Sequence, residues 1–177
     1  MSDGGEIRIE VTRNRADFVS AVWANFWQSG AWLWIVAGAA ALGLAIGVLA
    51  HNQGDADALS DGVQVGSIFG AVTIPAYALL ITLTAWRSWR QPGALDPVAY
   101  TFTPDTLEVK TPVGGGATRW LVWNRAFENG RVLIIRHRLN LMHFLPKRQI
   151  PAETLARLKA LLRIVLDGRV AFKSEPA

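Results

Sequence analysis

The stretch AWLWIVAGAAALGLAIGVLA, residues 31 to 50, decides the fold class of this 177-residue chain. It carries no charged side chain, and an α-helix of this length would measure about 30 Å, the thickness of the hydrocarbon core of a bilayer. A second uncharged block runs from residue 63 to residue 85. We therefore predict two transmembrane helices, 31–50 and 63–85, joined as a hairpin by an external link at 51–62.

Two other interpretations of these blocks are open. The first block could be a secretory signal peptide, with residues 48–50 imitating a cleavage site, but about 30 residues with structure of their own precede it, and the apolar core of a signal is shorter. The second block contains Gln, Ser and Thr and could be a buried helix of a soluble domain. The short link between the blocks favours the hairpin, because it cannot recross the membrane.

The distribution of charge predicts the orientation of the hairpin. Arg13 and Arg15 precede the first block, Arg87 and Arg90 follow the second, and the link contains Asp but neither Lys nor Arg. Since Lys and Arg accumulate on the cytoplasmic side of membrane proteins, both termini are expected in the cytoplasm.

Tryptophans flank the two blocks on that same side and are predicted to anchor the helices at the membrane interface. For the first two, packing in the core of a cytoplasmic domain is an equal alternative. The residues are Trp23, Trp27, Trp32, Trp34, Trp86 and Trp89.

Both blocks also carry glycines four residues apart, the spacing that lets two membrane helices approach closely. We predict that these glycines pack the two helices of the hairpin against each other; a homodimer seam or a dock for a partner subunit is the alternative. The residues are Gly43, Gly47, Gly62, Gly66 and Gly70.

The remaining sequence predicts a small cytoplasmic α+β structure. Residues 1–30 contain a strand (7–12) and an amphipathic helix (14–28), and a linker follows the second block at 87–97. From residue 98 to 170, alternating apolar residues predict an antiparallel sheet that is closed by an amphipathic helix starting near Pro151. The predicted strands are 99–103, 107–111, 119–123, 131–136 and 141–145, with a loop at 112–117 and a tail at 171–177.

Three features of this region resemble the YcxB-like family of bacterial membrane proteins. They are the Tyr-x-Phe-Thr-x-Asp-x-Leu run that opens at Tyr100, the pair Trp120 and Trp123, and the run Leu-Pro-Lys-Arg at 145–148. The resemblance implies two helices in the bacterial inner membrane and a cytoplasmic domain akin to a bacterial pleckstrin-homology (PH-like) fold. The family carries no established reaction, so no active site is implied.

The residues themselves do not predict catalysis. The chain has no Cys, which excludes thiol nucleophiles and Cys-ligated metals. Gly114-Gly115-Gly116 is followed by a predicted strand and by no Lys-Ser/Thr, unlike a phosphate loop. His137 and His143 could meet across a hairpin, but they lack a third ligand. We expect neither an enzyme nor a cofactor or metal.

The charge of the C-terminal region points to a partner. From Arg87 onward there are 15 Lys plus Arg against 7 Asp plus Glu, and a tethered basic domain would face the anionic inner leaflet. Scattered solvated side chains that obey the positive-inside rule are the alternative, and the absence of a recognition motif argues against nucleic acid. The candidate lipid contacts are Arg87, Arg90, Arg136, Arg138, Lys147 and Arg148.

Together these features predict a non-catalytic membrane-anchored adaptor whose PH-like domain binds a protein or anionic lipid beside the bilayer. The alternative is a small accessory or assembly subunit of a larger membrane complex. Besides the lipid bilayer, the expected partner is another membrane protein or a second copy of the chain. A transporter is disfavoured, because the two blocks hold no ionisable residue and two helices cannot enclose a pore.

Overall fold

The computed structural model describes residues 6–53, 57–139 and 141–172, and within them the chain has an α+β structure with two sheets. The helices are α1 (Arg15–Ser29), α2 (Ala31–Asn52), α3 (Ala58–Trp89) and α4 (Ala152–Val165). The strands are β1 (Ile7–Val11), β2 (Val98–Phe102), β3 (Thr106–Thr111), β4 (Gly114–Arg119), β5 (Trp123–Glu128), β6 (Val132–His137), β7 (Met142–Pro146) and β8 (Val170–Ala171).

The chain divides into two compact units, which are described separately. The first, here called the β module, consists of Met1–Ala21 together with Trp86–Ala177, and the second, the helical unit, is Val22–Ala85.

The first sheet of the β module joins the two ends of the chain. Its order is β1-β2-β3-β4, and β1 pairs antiparallel with β2, with Ile7 opposite Phe102 and Val11 opposite Val98. The alternation that predicted β1 is explained by its burial pattern, because Ile7, Ile9 and Val11 are buried while the residues between them are exposed. The N-terminal strand is thus an integral part of the same sheet as the C-terminal strands.

The second sheet has the order β7-β6-β5-β8, and α4 contributes to the core that the two sheets share. Leu158 and Leu162 of α4 are fully buried, and they share one core with Phe102 of the first sheet and Leu145 of the second. The strand β8 pairs parallel with β5 and was not predicted, because two residues carry no readable periodicity.

The prediction of a loop at 112–117 is wrong, because Gly114–Arg119 forms β4. Glycine has little intrinsic preference for strands, so this segment is ordered by its partner: it pairs with β3 from Gly114 opposite Thr111 to Arg119 opposite Thr106. A methyl group added to Gly115 would lie 2.5 Å from the carbonyl oxygen of Val109, so the two backbones approach too closely for a side chain there. A 3₁₀ turn at Trp120–Val122 then separates β4 from β5, within the strand expected at 119–123.

The helices that flank the predicted link are longer than expected. α2 continues to Asn52 and α3 begins at Ala58, so Gly62 lies inside a helix and not in a loop. Asp61 in the first turn of α3 stabilises this extension through the helix dipole. Residues 54–56 of the link, 1–5 of the N-terminal segment and 173–177 of the tail lie outside the described residues.

Candidate functional site

The glycines of the two apolar helices form a close antiparallel seam inside the helical unit. A methyl group added to Gly62 would lie 2.5 Å from the carbonyl oxygen of Gly43 and 3.0 Å from the Cα of Gly47. One added to Gly66 would lie 3.1 Å from the carbonyl oxygen of Ala39. Since residue numbers rise along one helix as they fall along the other, α2 and α3 are antiparallel, and four of the five predicted glycines lie in their contact.

Gly70 does not belong to this seam, and its predicted role in packing these two helices is wrong. A methyl group added there would meet no atom within 4 Å, and the same is true of Gly38 on α2. Each step of four residues rotates the contact by about 40° around a helix of 3.6 residues per turn. By Gly70 the glycine series has therefore turned away from the neighbouring backbone.

Most of the surface of both helices is apolar and unburied. Both are long and apolar enough to cross a membrane, and only 11% of the most apolar 18-residue stretch of each is buried. Leu44, Val63 and Val72 are among the exposed side chains. A core helix of a soluble protein would be mostly covered by the rest of the chain, so this burial is unlike that of a soluble core.

Three of the predicted tryptophan anchors line an aromatic cavity of the helical unit. Trp23, Trp27 and Trp32 surround a space of about 290 Å³ together with Phe26 and Tyr77. The rings pack on one another, with 5.8 Å between the centroids of Trp27 and Trp32 and 5.2 Å between those of Phe26 and Tyr77. Trp34 stands apart from this cluster and is 81% exposed.

The other two tryptophans lie in the β module beside arginines. The guanidinium carbon of Arg90 lies 3.9 Å from the ring centroid of Trp86, and that of Arg15 lies 5.6 Å from the ring centroid of Trp89. Such contacts hold a cation above an aromatic face. Two of the arginines that flank the apolar blocks in sequence are therefore paired with predicted anchors.

Lys147, one of the candidate lipid contacts, is engaged inside the β module. Its ammonium lies 3.0 Å from the carboxylate of Glu128 and donates a hydrogen bond of 2.8 Å to the carbonyl of Asn129. Lys159 of α4 bonds the other oxygen of the same carboxylate at 3.0 Å. Burial of Glu128 opposes its ionisation, but the hydrogen bonds from the two lysines outweigh that effect and lower its pKa.

Arg148, the next candidate, is also engaged. Its guanidinium bonds the carboxylate of Asp17, which has no exposed surface, and donates a second bond of 3.3 Å to the carbonyl of Thr12. Asp17 and Asn14 cap α1 reciprocally, each accepting the backbone N–H of the other. Both cations are therefore paired with internal carboxylates, and their role as lipid contacts stays a prediction.

The remaining candidate cations have different surroundings. Arg87 and Arg138 are exposed and form no ion pair within the described residues. Arg136 is half-buried on β6, and Arg90 covers Trp86. The role of these four cations as lipid contacts stays a prediction.

A separate polar cluster, here called the Arg13 cluster, consists of Arg13, Tyr100, Trp123, His143 and Phe144. The guanidinium of Arg13 donates a hydrogen bond to the hydroxyl of Tyr100, whose oxygen lies 3.4 Å from Nδ1 of His143. The guanidinium carbon of Arg13 also lies 4.9 Å from the ring centroid of Phe144, and the ring of His143 meets that of Trp123 edge-on at 5.5 Å.

Burial controls the protonation of two groups in the Arg13 cluster. Burial raises the pKa of the Tyr100 hydroxyl, so it remains protonated. Burial, with the charges of Arg13 and His137 beside it, lowers the pKa of His143 to about 4, so this ring is neutral at physiological pH. Arg13 can only donate, so the oxygen of Tyr100 accepts from it, and the Tyr100 hydroxyl can give its own proton to Nδ1 of His143; in that arrangement the ring proton is on Nε2.

The Arg13 cluster was not predicted, because its members are far apart in sequence and form no motif. Arg13 contributed only to the charge asymmetry, and His143 was considered only with His137 as a metal pair. The rings of both histidines lie edge-on to Trp123, and within the described residues no group of three His, Asp or Glu side chains could hold a metal ion.

In comparisons with known proteins, no family model, no curated protein and no solved structure matches the chain.

Proposed function

We propose that this chain is a non-catalytic adaptor of the bacterial inner membrane. In this proposal α2 and α3 form a transmembrane hairpin with both termini in the cytoplasm, and they tether the β module beside the inner leaflet. The observation that carries it is the combination of length, apolar composition and low burial in the two helices. The charge asymmetry of the flanking residues supports the orientation.

The architecture of the β module supports a PH-like fold as part of this proposal, and with it the resemblance to the YcxB-like family. Two four-stranded sheets follow one another along the chain, and the last helix closes their common core through Leu158 and Leu162. In chain order the hairpin follows β1 and α1 and precedes β2, so the anchor is inserted within the sequence of the β module.

Cysteine labelling tests the membrane topology, because the chain contains no Cys. Gln53→Cys places a thiol in the exposed segment after α2, and Val113→Cys places one at a residue that is 89% exposed in the β module. In spheroplasts we expect a membrane-impermeant maleimide to label Gln53→Cys at once and Val113→Cys only after permeabilisation. The opposite pattern would contradict the orientation, and recovery of both variants in the supernatant after carbonate washing would contradict insertion.

A second candidate function, an accessory subunit of a larger membrane complex, is favoured by one feature of the helical unit. An open groove of about 460 Å³ follows the glycine seam and is lined almost entirely by small or apolar side chains, among them Val36, Ala40 and Val63. Small residues let a further helix approach closely. Purification in a mild detergent separates the two functions: elution in fixed stoichiometry with an integral membrane protein supports the subunit, and elution of the chain alone supports the adaptor.

A further inference from the structure

We propose that the Arg13 cluster binds the phosphate group of an anionic ligand at the cytoplasmic surface of the membrane. The membrane origin of this ligand rests on the proposed function. The inference deepens that function by naming the chemistry of the ligand and by placing the phosphate contact at Arg13, and not at Lys147 and Arg148.

The first argument is the uncompensated charge of Arg13. Arg8, Arg148, Lys147 and Lys159 each pair with a carboxylate, whereas Arg13, half-buried, forms no ion pair in the part of the chain that the structure describes. The aromatic faces of Phe144 and Tyr100 lie beside the guanidinium and hold it in place. Burial of a charge favours a counter-ion, and here the described residues supply no carboxylate.

The second argument is the surplus of donors around this cation. Nε of Arg13 and Nε1 of Trp123 are buried and have no hydrogen-bond acceptor. When Tyr100 donates to Nδ1 of His143, Nε2 of that ring carries the proton and is a third donor. The cluster therefore offers three N–H groups from three different side chains, two of which are buried without an acceptor, and unsatisfied buried donors are rare.

This donor set selects the class of ligand. An oxyanion supplies acceptors and negative charge, and phosphate presents several oxygens to donors that come from different side chains. Arg13 and His143 are both half-buried, so each exposes part of its side chain to an entering group. Arginine is also the cation that best matches phosphate geometry. The phosphate could belong to a lipid headgroup or to a free phosphate compound, which share this chemistry.

The test uses the full chain, labelled with ¹⁵N in maltoside micelles, and follows the indole N–H signal of Trp123, identified by its loss in Trp123→Phe. Inorganic phosphate is titrated at constant ionic strength. We expect a saturable shift of the Trp123 signal and an upward shift of the pKa of His143 from about 4. Arg13→Gln should weaken phosphate binding about tenfold or more, since it removes a charged donor.

Arg157→Gln is the matched control, because it removes the same charge from an exposed position on α4 that is not among the candidate lipid contacts, and it should leave the titration unchanged. Arg13→Lys keeps the charge and provides a second variant if Arg13→Gln does not fold, as judged from the remaining indole signals; it should also bind phosphate more weakly than the native chain. Nanodiscs of phosphatidylglycerol and of phosphatidylcholine distinguish the two sources. A Trp123 shift in phosphatidylglycerol alone assigns a lipid headgroup, and a shift with free phosphate but with neither lipid assigns a soluble phosphate compound.

The proposal is overturned if neither phosphate nor phosphatidylglycerol moves the Trp123 signal. It is equally overturned if acetate acts as strongly as phosphate, or if Arg13→Gln and Arg157→Gln behave alike. Failure of the adaptor model would be seen separately in the cysteine labelling, because the titration with free phosphate in micelles does not depend on a bilayer.

Discussion

Arg148 bonds Asp17 across 131 residues of sequence and so joins the end of the second sheet to the first turn of α1. Gln149 adds two further bonds to the same place, because its side-chain amide donates to the carbonyl of Thr12 and accepts from the N–H of Thr12. This contact holds the N-terminal segment of the β module against its C-terminal part. It also explains why a basic pair that resembles a lipid patch in sequence has an internal role.

We predict that Arg148→Met destabilises the β module by about 1–2 kcal/mol, because it leaves the fully buried carboxylate of Asp17 without its cation. The value is smaller than for a fully buried pair, since 41% of the Arg148 side chain is exposed and its charge is partly screened. Hydrogen–deuterium exchange of the full chain should show faster exchange in β1 and in the first turn of α1. Arg138→Met is the control, and equal protection in both variants would contradict the role of the ion pair.

The second prediction concerns Glu128, whose side chain is 1% exposed and binds Lys147 and Lys159. Glu128→Gln should cost about 3 kcal/mol, because the ammonium of Lys159, 7% exposed, loses its counter-ion. Adding Lys159→Met should restore part of the loss by removing that cation. Thermal unfolding of the full chain measures both variants, and additive losses in the double variant would argue against coupling between the two groups.

The lowered pKa of Glu128 also predicts a pH dependence. The stabilisation is present above the ordinary pKa of glutamate and is lost as the pH falls through the lowered value, since the unfolded chain then binds the proton more readily. Glu128→Gln should lack this component of acid unfolding. A native acid-unfolding curve that is unchanged by Glu128→Gln would count against the assignment.

The third prediction concerns His143, which folding keeps neutral. Its pKa falls from 6.5 to about 4, so between these pH values the unfolded chain binds a proton that the folded chain does not. The free energy of unfolding should therefore rise with pH over this window, by about 3 kcal/mol in total at 1.36 kcal/mol per pKa unit. His143→Gln should flatten this component when unfolding is measured in phosphate-free buffer. A slope that the substitution leaves unchanged would show that other groups cause it.

The fourth prediction tests the glycine seam with a matched pair of substitutions. Gly62→Ala should push α2 and α3 apart, because the added methyl group would meet backbone atoms of Gly43 and Gly47 at 2.5 and 3.0 Å. Gly38→Ala is the same change at a position where nothing lies within 4 Å. We expect Gly62→Ala to cost about 1–3 kcal/mol in thermal unfolding of the helical unit in micelles, and Gly38→Ala to be neutral or slightly stabilising. Equal stability of the two variants would mean that the helices do not rely on close backbone contact.

The sequence by itself determined the features that depend on local pattern. An uncharged run long enough to cross a bilayer predicted α2, glycines spaced by four predicted that the two helices pack closely, and the alternation at Ile7, Ile9 and Val11 predicted β1. Which glycines face each other was decided by the structure. These signals are readable because helices and strands repeat every 3.6 and 2 residues, so a few neighbouring residues carry the information.

Only the tertiary structure decided which polar groups are free. In the sequence Lys147 and Arg148 resemble surface cations, but the fold pairs them with Glu128 and Asp17. Arg13 does not stand out in the sequence, yet no carboxylate pairs with it in the described part of the chain. The strand β4 likewise owes its order to β3, because glycine has no side chain to direct its pairing. Pairing of charges and of strand edges depends on residues that are distant in sequence, so local periodicity cannot predict it.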